Sequence, residues 1–485
     1  MSSTLGPAPT GLPIVVDLDG TLIRSDLLIE TASRFITSRP LQAHRLLGWL
    51  GQGRAPLKAE LARAAGIDAA GLPYNQALLD WLAAQKAAGR RLVLATASHH
   101  SLAEQVASHL GLFDEVMGSD AQTNLKAARK RDRLVQRFGE RGFDYVGNDW
   151  ADLPVWQSAA QAHMVGGSAR LRQAVQALGK LGQQFEDGRP GMASATAKAM
   201  RPHQWLKNLL ILVPLFAAHR YGDMASLLAA ALAFVVFSLT ASSVYLLNDI
   251  VDVGDDRHHK RKRKRPFAAG HLGLLQGWII WPGLLVLAFG MSALTLPRAF
   301  TGVLACYLVL TVAYSLRLKQ SALVDVMLLA VLYTIRIVAG AAAIGVPLAF
   351  WLLTFSMFLF LSLAFIKRFS ELKSAHGSGQ QGTLRGRGYY PEDFAMVASL
   401  GAAAGQIAVL VLALYIQDSH TAELYRQPKL IWLACPLLLY WISRAWLIAH
   451  RGWMHDDPIV FALKDRISWI VGAGFVAVFA LARLL

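Results

Sequence analysis

The spacing of apolar positions divides this chain near residue 199. Before that point, short apolar runs recur at Leu12–Val16, Arg91–Ala95, Glu115–Gly118, Phe143–Gly147 and Ala162–Val165. Amphipathic stretches such as Ser101–Leu110, Lys130–Phe138 and Leu153–Ala160 lie between them. Short buried strands alternating with helices predict a parallel sheet covered on both faces. After that point, apolar runs of membrane-spanning length repeat near 206–219, 225–247, 275–294, 300–316, 323–345, 349–367, 396–416, 429–448 and 468–485. An all-α polytopic membrane domain of about nine helices follows an α/β domain.

Within the first part, about 25–89 is helical in pattern and sits between the first two strands, where it reads as a cap. Its Leu46, Leu47, Trp49 and Leu50 are expected in the cap core. Residues 179–198 are rich in Gly, Ser, Ala and polar residues and read as a linker. The expected units are therefore an α/β domain over 1–178, a linker over 179–198 and a membrane domain over 199–485.

Composition changes the picture in one respect. Hydrophobic residues make up 54% and charged residues 16%, with a net charge of +16. The basic residues gather in short loops between apolar runs, so a lipid bilayer explains the charge and no nucleic-acid partner is called for. Sorting the connections into alternate sides gives roughly 18 Lys/Arg on one side and about 5 on the other. The rich side is expected to be cytosolic. The N-terminus shows no signal-peptide pattern, so the α/β domain is expected on that side of an inner (cytoplasmic) membrane. Cys306 and Cys435, both in apolar runs, offer neither a disulfide framework nor a thiolate metal site.

Candidate chemistry concentrates at one span end. The stretch NDIVDVGDDRHHKRKRKRP carries Asp249, Asp252, Asp255 and Asp256, then seven Lys/Arg and two His. Asn248, Asp252 and Asp256 recur at i, i+4 and i+8, which a continuing helix would stack on one face. Hard oxygen ligands so placed suit Mg²⁺, which takes its remaining ligands from substrate phosphates.

In the α/β half, ligands of a parallel sheet bind at the carboxyl ends of its strands. Asp17 and Asp19 follow the first strand, Thr96 and Ser98 the second, Asn148 and Asp149 the fourth. DLDGT, LATAS, a downstream Lys and GNDWAD, in that order, resemble the haloacid dehalogenase (HAD) phosphatase superfamily over most of 12–178. The resemblance implies a HAD-like fold in which Asp17 is the nucleophile forming an aspartyl-phosphate and Asp19 the general acid and base. Thr96 and a Lys, either Lys126 or the preferred Lys130, would hold phosphoryl oxygens. Mg²⁺ would be held among Asp17, Asp19, Asn148, Asp149 and Asp152. Asn148 stands where the family normally has an acid, which removes one charge from that set.

The membrane half carries RPHQWLKN (Arg201–Asn208), YSLRLK (Tyr314–Lys319) followed by Asp325, KRFSEL (Lys367–Leu372), RGRGYY (Arg385–Tyr390) and HRGWMHDDPIVFALKDR (His450–Arg466) on the basic side. With N-D-x-x-D-x-x-x-D, these motifs resemble the UbiA superfamily of intramembrane prenyltransferases across 199–485. Within it they are similar to the decaprenyl-phosphate phosphoribosyltransferase branch. Aromatic prenyltransferases carry a second D-x-x-x-D, whereas here Leu329 follows Asp325. The resemblance implies phosphoribosyl pyrophosphate and a polyprenyl phosphate as substrates. Asp249, Asp252 and Asp256 would be catalytic, and Asn248, Asp252 and Asp256 would hold Mg²⁺. Candidate substrate-binding residues are Lys207, Asn208, Lys260, Lys262, Arg265, Tyr314, Lys319, Asp325, Arg336, Lys367, Arg368 and Glu371. The implied protein is bifunctional, its phosphatase half removing the 5-phosphate. Rival readings are an aromatic prenyltransferase with an accessory HAD domain, and a membrane scaffold with a degenerate phosphate-binding head.

Overall fold

The computed structural model describes residues 11–377, 382–384, 387–416, 425–454 and 457–485. By internal contacts the chain forms two compact units, Met1–Met200 with Tyr245–Pro282, and Arg201–Val244 with Gly283–Leu485.

The first unit is built on six parallel strands, β1 (Ile14–Val16), β2 (Leu92–His99), β3 (Glu115–Ser119), β4 (Asp144–Gly147), β5 (Ala162–Val165) and β6 (Leu181–Phe185). Their order is β3-β2-β1-β4-β5-β6. The central β1 is paired on both edges, Val15 opposite Val93 and Tyr145, and all three of its residues are fully buried. That is why it reads as a continuous apolar run rather than an alternating one. One core, with Ile14, Val16, Leu94 and Val106, covers one face, and another, with Val15, Tyr145, Trp156 and Met164, covers the opposite face.

The expected linker is shorter than 179–198. Leu181–Phe185 is the sixth strand, paired with β5 from Ala162↔Leu181 to Val165↔Phe185. Only one edge of β6 is paired and its Gln183 and Gln184 face solvent, so it carries too few apolar residues to stand out. Met192–Met200 is helical. The cap forms as four helices, Leu27–Ser38, Arg45–Gly51, Arg54–Ala65 and Gln76–Ala87. Phe35, Leu57 and Leu61 are its small core, with Leu46 and Trp49 packed against them. Leu47 and Leu50, expected there too, are exposed.

Among the described residues, eight helices are long and apolar enough to cross a membrane: Met224–Val251, Leu274–Thr295, Arg298–Leu316, Val324–Ile344, Phe350–Gly377, Pro391–Ile416, Pro428–His450 and Arg466–Leu484. The ninth expected span, 206–219, is instead a 3₁₀ helix, Pro202–Leu212, running into a short α-helix, Val213–Ala217. Close packing in the second unit relies on small residues. A Cβ on Gly401 would lie 2.3 Å from Trp446 and 2.5 Å from Phe365, and one on Gly405 would lie 2.6 Å from Ile442. The Gly401 carbonyl accepts from Ser362 at 2.7 Å, a contact such proximity permits.

Candidate functional site

The end of β1 turns sharply through Asp17–Thr21, with the Leu22 amide donating to the Leu18 carbonyl. Gly20 has φ +77°, and a Cβ there would lie 2.4 Å from the Asn148 amide, so the position admits little but glycine. Asp17 is buried and accepts a 2.6 Å bond from Lys130 Nζ. Lys130 also donates to Tyr145 Oη at 2.9 Å, and Tyr145 donates to Asp152 at 2.7 Å. Lys130, rather than Lys126, is thus the lysine that reaches Asp17. Asp19 accepts from Ser98 Oγ at 2.6 Å, Thr96 Oγ1 at 3.3 Å and the Leu27 amide at 2.8 Å. Thr21 Oγ1 donates to Asn148 Oδ1 at 3.1 Å, bringing the Asn148 amide beside Asp17.

Burial pushes the Asp17 carboxyl up to about 7, against the pull of Lys130 and with Asp152 and Asp19 adding to the rise. Burial likewise raises Asp19 to about 6, assisted by Asp26 and opposed by the bonds from Ser98 and Leu27. Three carboxylates, Asp17, Asp152 and Asp19, act on the one ammonium of Lys130.

Two expected metal ligands have other work. Asp152 accepts from Tyr145 and from the Asn148 and Asp149 amides, so its oxygens hold the loop after β4. Asp149 is exposed and caps the Trp150 amide at 2.7 Å. Among the described residues, no three His, Cys, Asp or Glu side chains are grouped to hold a metal. Ser98, expected at the carboxyl end of β2, meets Asp19 there. Tyr145 has no such signal in the sequence, because a tyrosine inside an apolar strand reads as core.

The Asp-rich stretch, still in the first unit, is nearly a continuing helix. Met224–Val251 breaks at Asp252, yet the Asp252 amide donates to the Asn248 carbonyl and the Asp256 amide to the Asp252 carbonyl, both at 2.9 Å. The one-turn spacing of Asn248, Asp252 and Asp256 is kept. Arg265 donates to Asp249 at 3.1 Å and Asp256 at 2.7 Å. Expected as a clamp on substrate oxygens, it is here the counter-ion of two carboxylates. Lys262 lies 4.0 Å from Asp256, and Lys260 is exposed. Asp256 Oδ1 is buried without a hydrogen-bond partner. Burial raises the Asp256 carboxyl above its ordinary range despite Arg265.

In the second unit the motif residues form two clusters. Asp457, which caps Pro458–Lys464, accepts from Lys207 at 2.9 Å, Lys367 at 3.4 Å and Tyr333 at 3.4 Å. Burial opposes its charge, but the two ammonium groups hold it down at about 2. Asp457 was not singled out beforehand, although an acid directly before a helix-opening proline is a capping signal. The adjacent Asp456 lies outside the described residues, as does Arg385.

Asp325 is fully buried, with Arg368 at 2.6 Å, Arg387 at 2.8 Å and Tyr314 at 2.8 Å. Arg368 also pairs with Glu371. Lys319 is half-buried near this segment's end. Asn208 and Arg336 do not face open space as a substrate-binding role needs. Asn208 donates to Ser238 and accepts from Arg336, both at 2.9 Å, and the Arg336 guanidinium lies 5.2–5.5 Å from the Phe237, Tyr307 and Tyr333 rings. They knit helices together.

Residues 209–469 match the UbiA prenyltransferase family. The chain belongs to that family. Residues 14–157 match the haloacid dehalogenase-like hydrolases, so a HAD domain precedes the UbiA domain. A relative from Sinorhizobium fredii, the uncharacterized protein y4nM, is 37% identical over 97% of this chain and 91% of its own length. The nodulation protein NoeC of Azorhizobium caulinodans is 38% identical over 56% of this chain and 88% of its own. The decaprenyl-phosphate phosphoribosyltransferase of Mycolicibacterium smegmatis is 32% identical over 58% of this chain and 89% of its own.

Proposed function

We propose that the UbiA domain transfers 5-phosphoribose from phosphoribosyl pyrophosphate to a polyprenyl phosphate at the cytosolic face of the inner membrane. The HAD domain then removes the 5-phosphate. Likeness to the Mycolicibacterium smegmatis decaprenyl-phosphate phosphoribosyltransferase supports the first step. The observation that carries the pairing of the two steps is that the HAD sheet and the Asp-rich loop belong to one compact unit.

In the transfer, a polyprenyl phosphate oxygen attacks the ribose C1 as the C1–O bond to pyrophosphate breaks, and pyrophosphate leaves. Mg²⁺ fits the donor sets at both sites: Asp256 Oδ1 is buried without a hydrogen bond, with Lys262 4.0 Å away, and the Asp17 carboxylate lies beside the Asn148 amide in a pocket where Asp17, Asp19 and Asp152 act on one ammonium. When bound, it would neutralise charge gathering on phosphate oxygens. Asn248, Asp252 and Asp256 would hold it at one site, Asp17, Asp19 and Asn148 at the other. Lys207 and Lys367 share one carboxylate and keep a net positive charge, which suits a polyprenyl phosphate headgroup.

In the second step, Asp17 attacks phosphorus and the ribose 5-oxygen leaves with a proton from Asp19, which then takes a proton from water as the aspartyl-phosphate is hydrolysed. Lys130 holds Asp17 in place.

The test is purified protein incubated with phosphoribosyl pyrophosphate, decaprenyl phosphate and Mg²⁺, followed by mass spectrometry of the lipid. Asp252→Asn and Asp256→Asn should abolish pentose transfer and leave phosphomonoesterase activity intact. Near-normal transfer by both variants, or no lipid product from the wild type, overturns the reading.

A further inference from the structure

Lys58, on the cap helix Arg54–Ala65, reaches into the HAD site. Its Nζ donates to the Ala97 carbonyl at 2.5 Å and to Asn124 Oδ1 at 3.1 Å. Ala97 lies between Thr96 and Ser98, the two residues whose hydroxyls hold Asp19. Both oxygens that Lys58 touches are uncharged. A half-buried ammonium normally takes a carboxylate partner, because burial penalises an unpaired charge. Burial pushes Lys58 below its ordinary value; the Asp19 and Asp26 carboxylates oppose this without bonding to it, and Lys126 and Arg54 add to it. Arg54 lies one turn before Lys58 on the same helix face. Arg54 and Lys126 are exposed while Lys58 is half-buried, so the three cations grade from solvent toward Asp19.

We propose that Lys58, with Arg54 and Lys126 at the mouth, is a subsite for a second anionic group of the substrate, a phosphodiester, beyond the phosphomonoester that Asp17 attacks. The inference rests on the phosphomonoesterase reading of Asp17 and adds a substrate class to it. A flexible ammonium whose hydrogen bonds go to neutral oxygens can turn to a phosphodiester oxygen without breaking a hydrogen-bonded ion pair. The bland alternative is a latch: Lys58 merely ties the cap to Ala97 and Asn124.

The experiment compares ribose 5-phosphate with a 1-O-(alkylphosphoryl)-ribose 5-phosphate on the full-length protein in detergent. Lys58→Met should raise KM for the diester-bearing substrate about tenfold, the order of one charge-assisted hydrogen bond. It should leave the KM for ribose 5-phosphate nearly unchanged, while any change in kcat, passed on through Asp19, should be equal for the two substrates, and Lys58→Arg should restore most of the loss. An equal rise for both substrates means a latch and overturns the subsite, as does no change for either. Calorimetric binding of both compounds to Asp17→Asn protein separates the two ideas. A preference for the diester-bearing compound that Lys58→Met removes upholds the subsite even if the wild type hydrolyses neither. Equal affinity for the two overturns it.

Discussion

Arg257, next to Asp256 in the Asp-rich loop, donates two hydrogen bonds to Glu30 of the cap, at 2.6 and 3.0 Å, and both side chains are 8% exposed. Glu30 sits on Leu27–Ser38, whose first amide binds Asp19. One helix therefore touches the candidate acid of the phosphatase site and anchors the neighbour of a candidate acid of the transferase site. Trp278 adds a 3.1 Å bond to Ser33 of the same helix.

Breaking that pair should loosen the loop. Glu30→Ala leaves Arg257 buried and unpaired, a loss on the order of 3–5 kcal/mol. The run Lys260–Lys264 is exposed and offers trypsin several bonds. Cleavage there should speed up in Glu30→Ala while pentose transfer falls. Unchanged cleavage would show that the pair does not hold the loop.

The Asp325 cluster predicts an asymmetry. Asp325 faces two guanidinium groups, so Asp325→Ala strands the fully buried Arg368 with only Glu371 as counter-ion. Arg368→Met leaves Asp325 paired with Arg387 and Tyr314. Asp325→Ala should lower the unfolding temperature in detergent more than Arg368→Met, the gap being roughly 1–3 kcal/mol for the extra uncompensated charge. Equal losses would mean that Arg387 contributes nothing to the cluster.

Where periodicity and burial agree, the sequence anticipates the fold well. β1 through β5 and the eight span-length helices lie close to where the apolar runs put them, because each buries a whole face. It fails where one edge or one bond decides. β6 is half polar because only one of its edges is paired. Pro202–Leu212 departs from the α-helix expected around it, with two prolines, Pro202 and Pro214, and the polar pair Lys207–Asn208 within sixteen residues. In the sites, carboxylates at strand and helix ends are visible by spacing. Their partners Tyr145, Ser98 and Arg387, and the Asp457 that pairs with Lys207, come from distant segments, and only the fold brings them close. The same bonds remove Asp152, Asn208 and Arg336 from the ligand-facing set, which residue type alone could not reveal.

The irregular segment 202–217 bears on topology. Residues of the HAD sheet and of the Asp-rich loop share one compact unit, and the proposed function puts both on one side of the membrane. Met224–Val251 leads into that loop and would then start on the other side, which would require the chain to cross between Met200 and Met224. A 3₁₀ helix rises about 2.0 Å per residue, so its eleven residues with the five-residue α-helix after them span about 30 Å, the thickness of a hydrocarbon core. With Cys306 and Cys435 replaced, a cysteine at Gly222 should react with an impermeant maleimide in intact spheroplasts, and one at Glu140 only after lysis. Labelling of both from the same side would rule out the crossing.

The coupling of the two activities makes the riskiest prediction. If the domains process one lipid, wild-type protein should yield polyprenyl-phosphoryl ribose without its 5-phosphate. Asp17→Asn should accumulate the 5-phosphorylated lipid with no slowing of its formation, since the Asp17 side chain bonds to Lys130 and Thr21, both within the HAD site. Only residues 186–191 separate the last strand from the helix Met192–Met200, so a short connection tethers the phosphatase to the membrane half. Such tethering gives an effective concentration in the millimolar range, enough to outrun diffusion of the product away. Mass spectrometry separates the two lipids by one phosphate. Adding phosphatase-active protein in trans to Asp17→Asn should restore the dephosphorylated lipid only slowly at nanomolar concentration. Rapid restoration would mean that the tether gives no advantage, and identical lipids from wild type and Asp17→Asn would mean that the HAD domain serves another substrate.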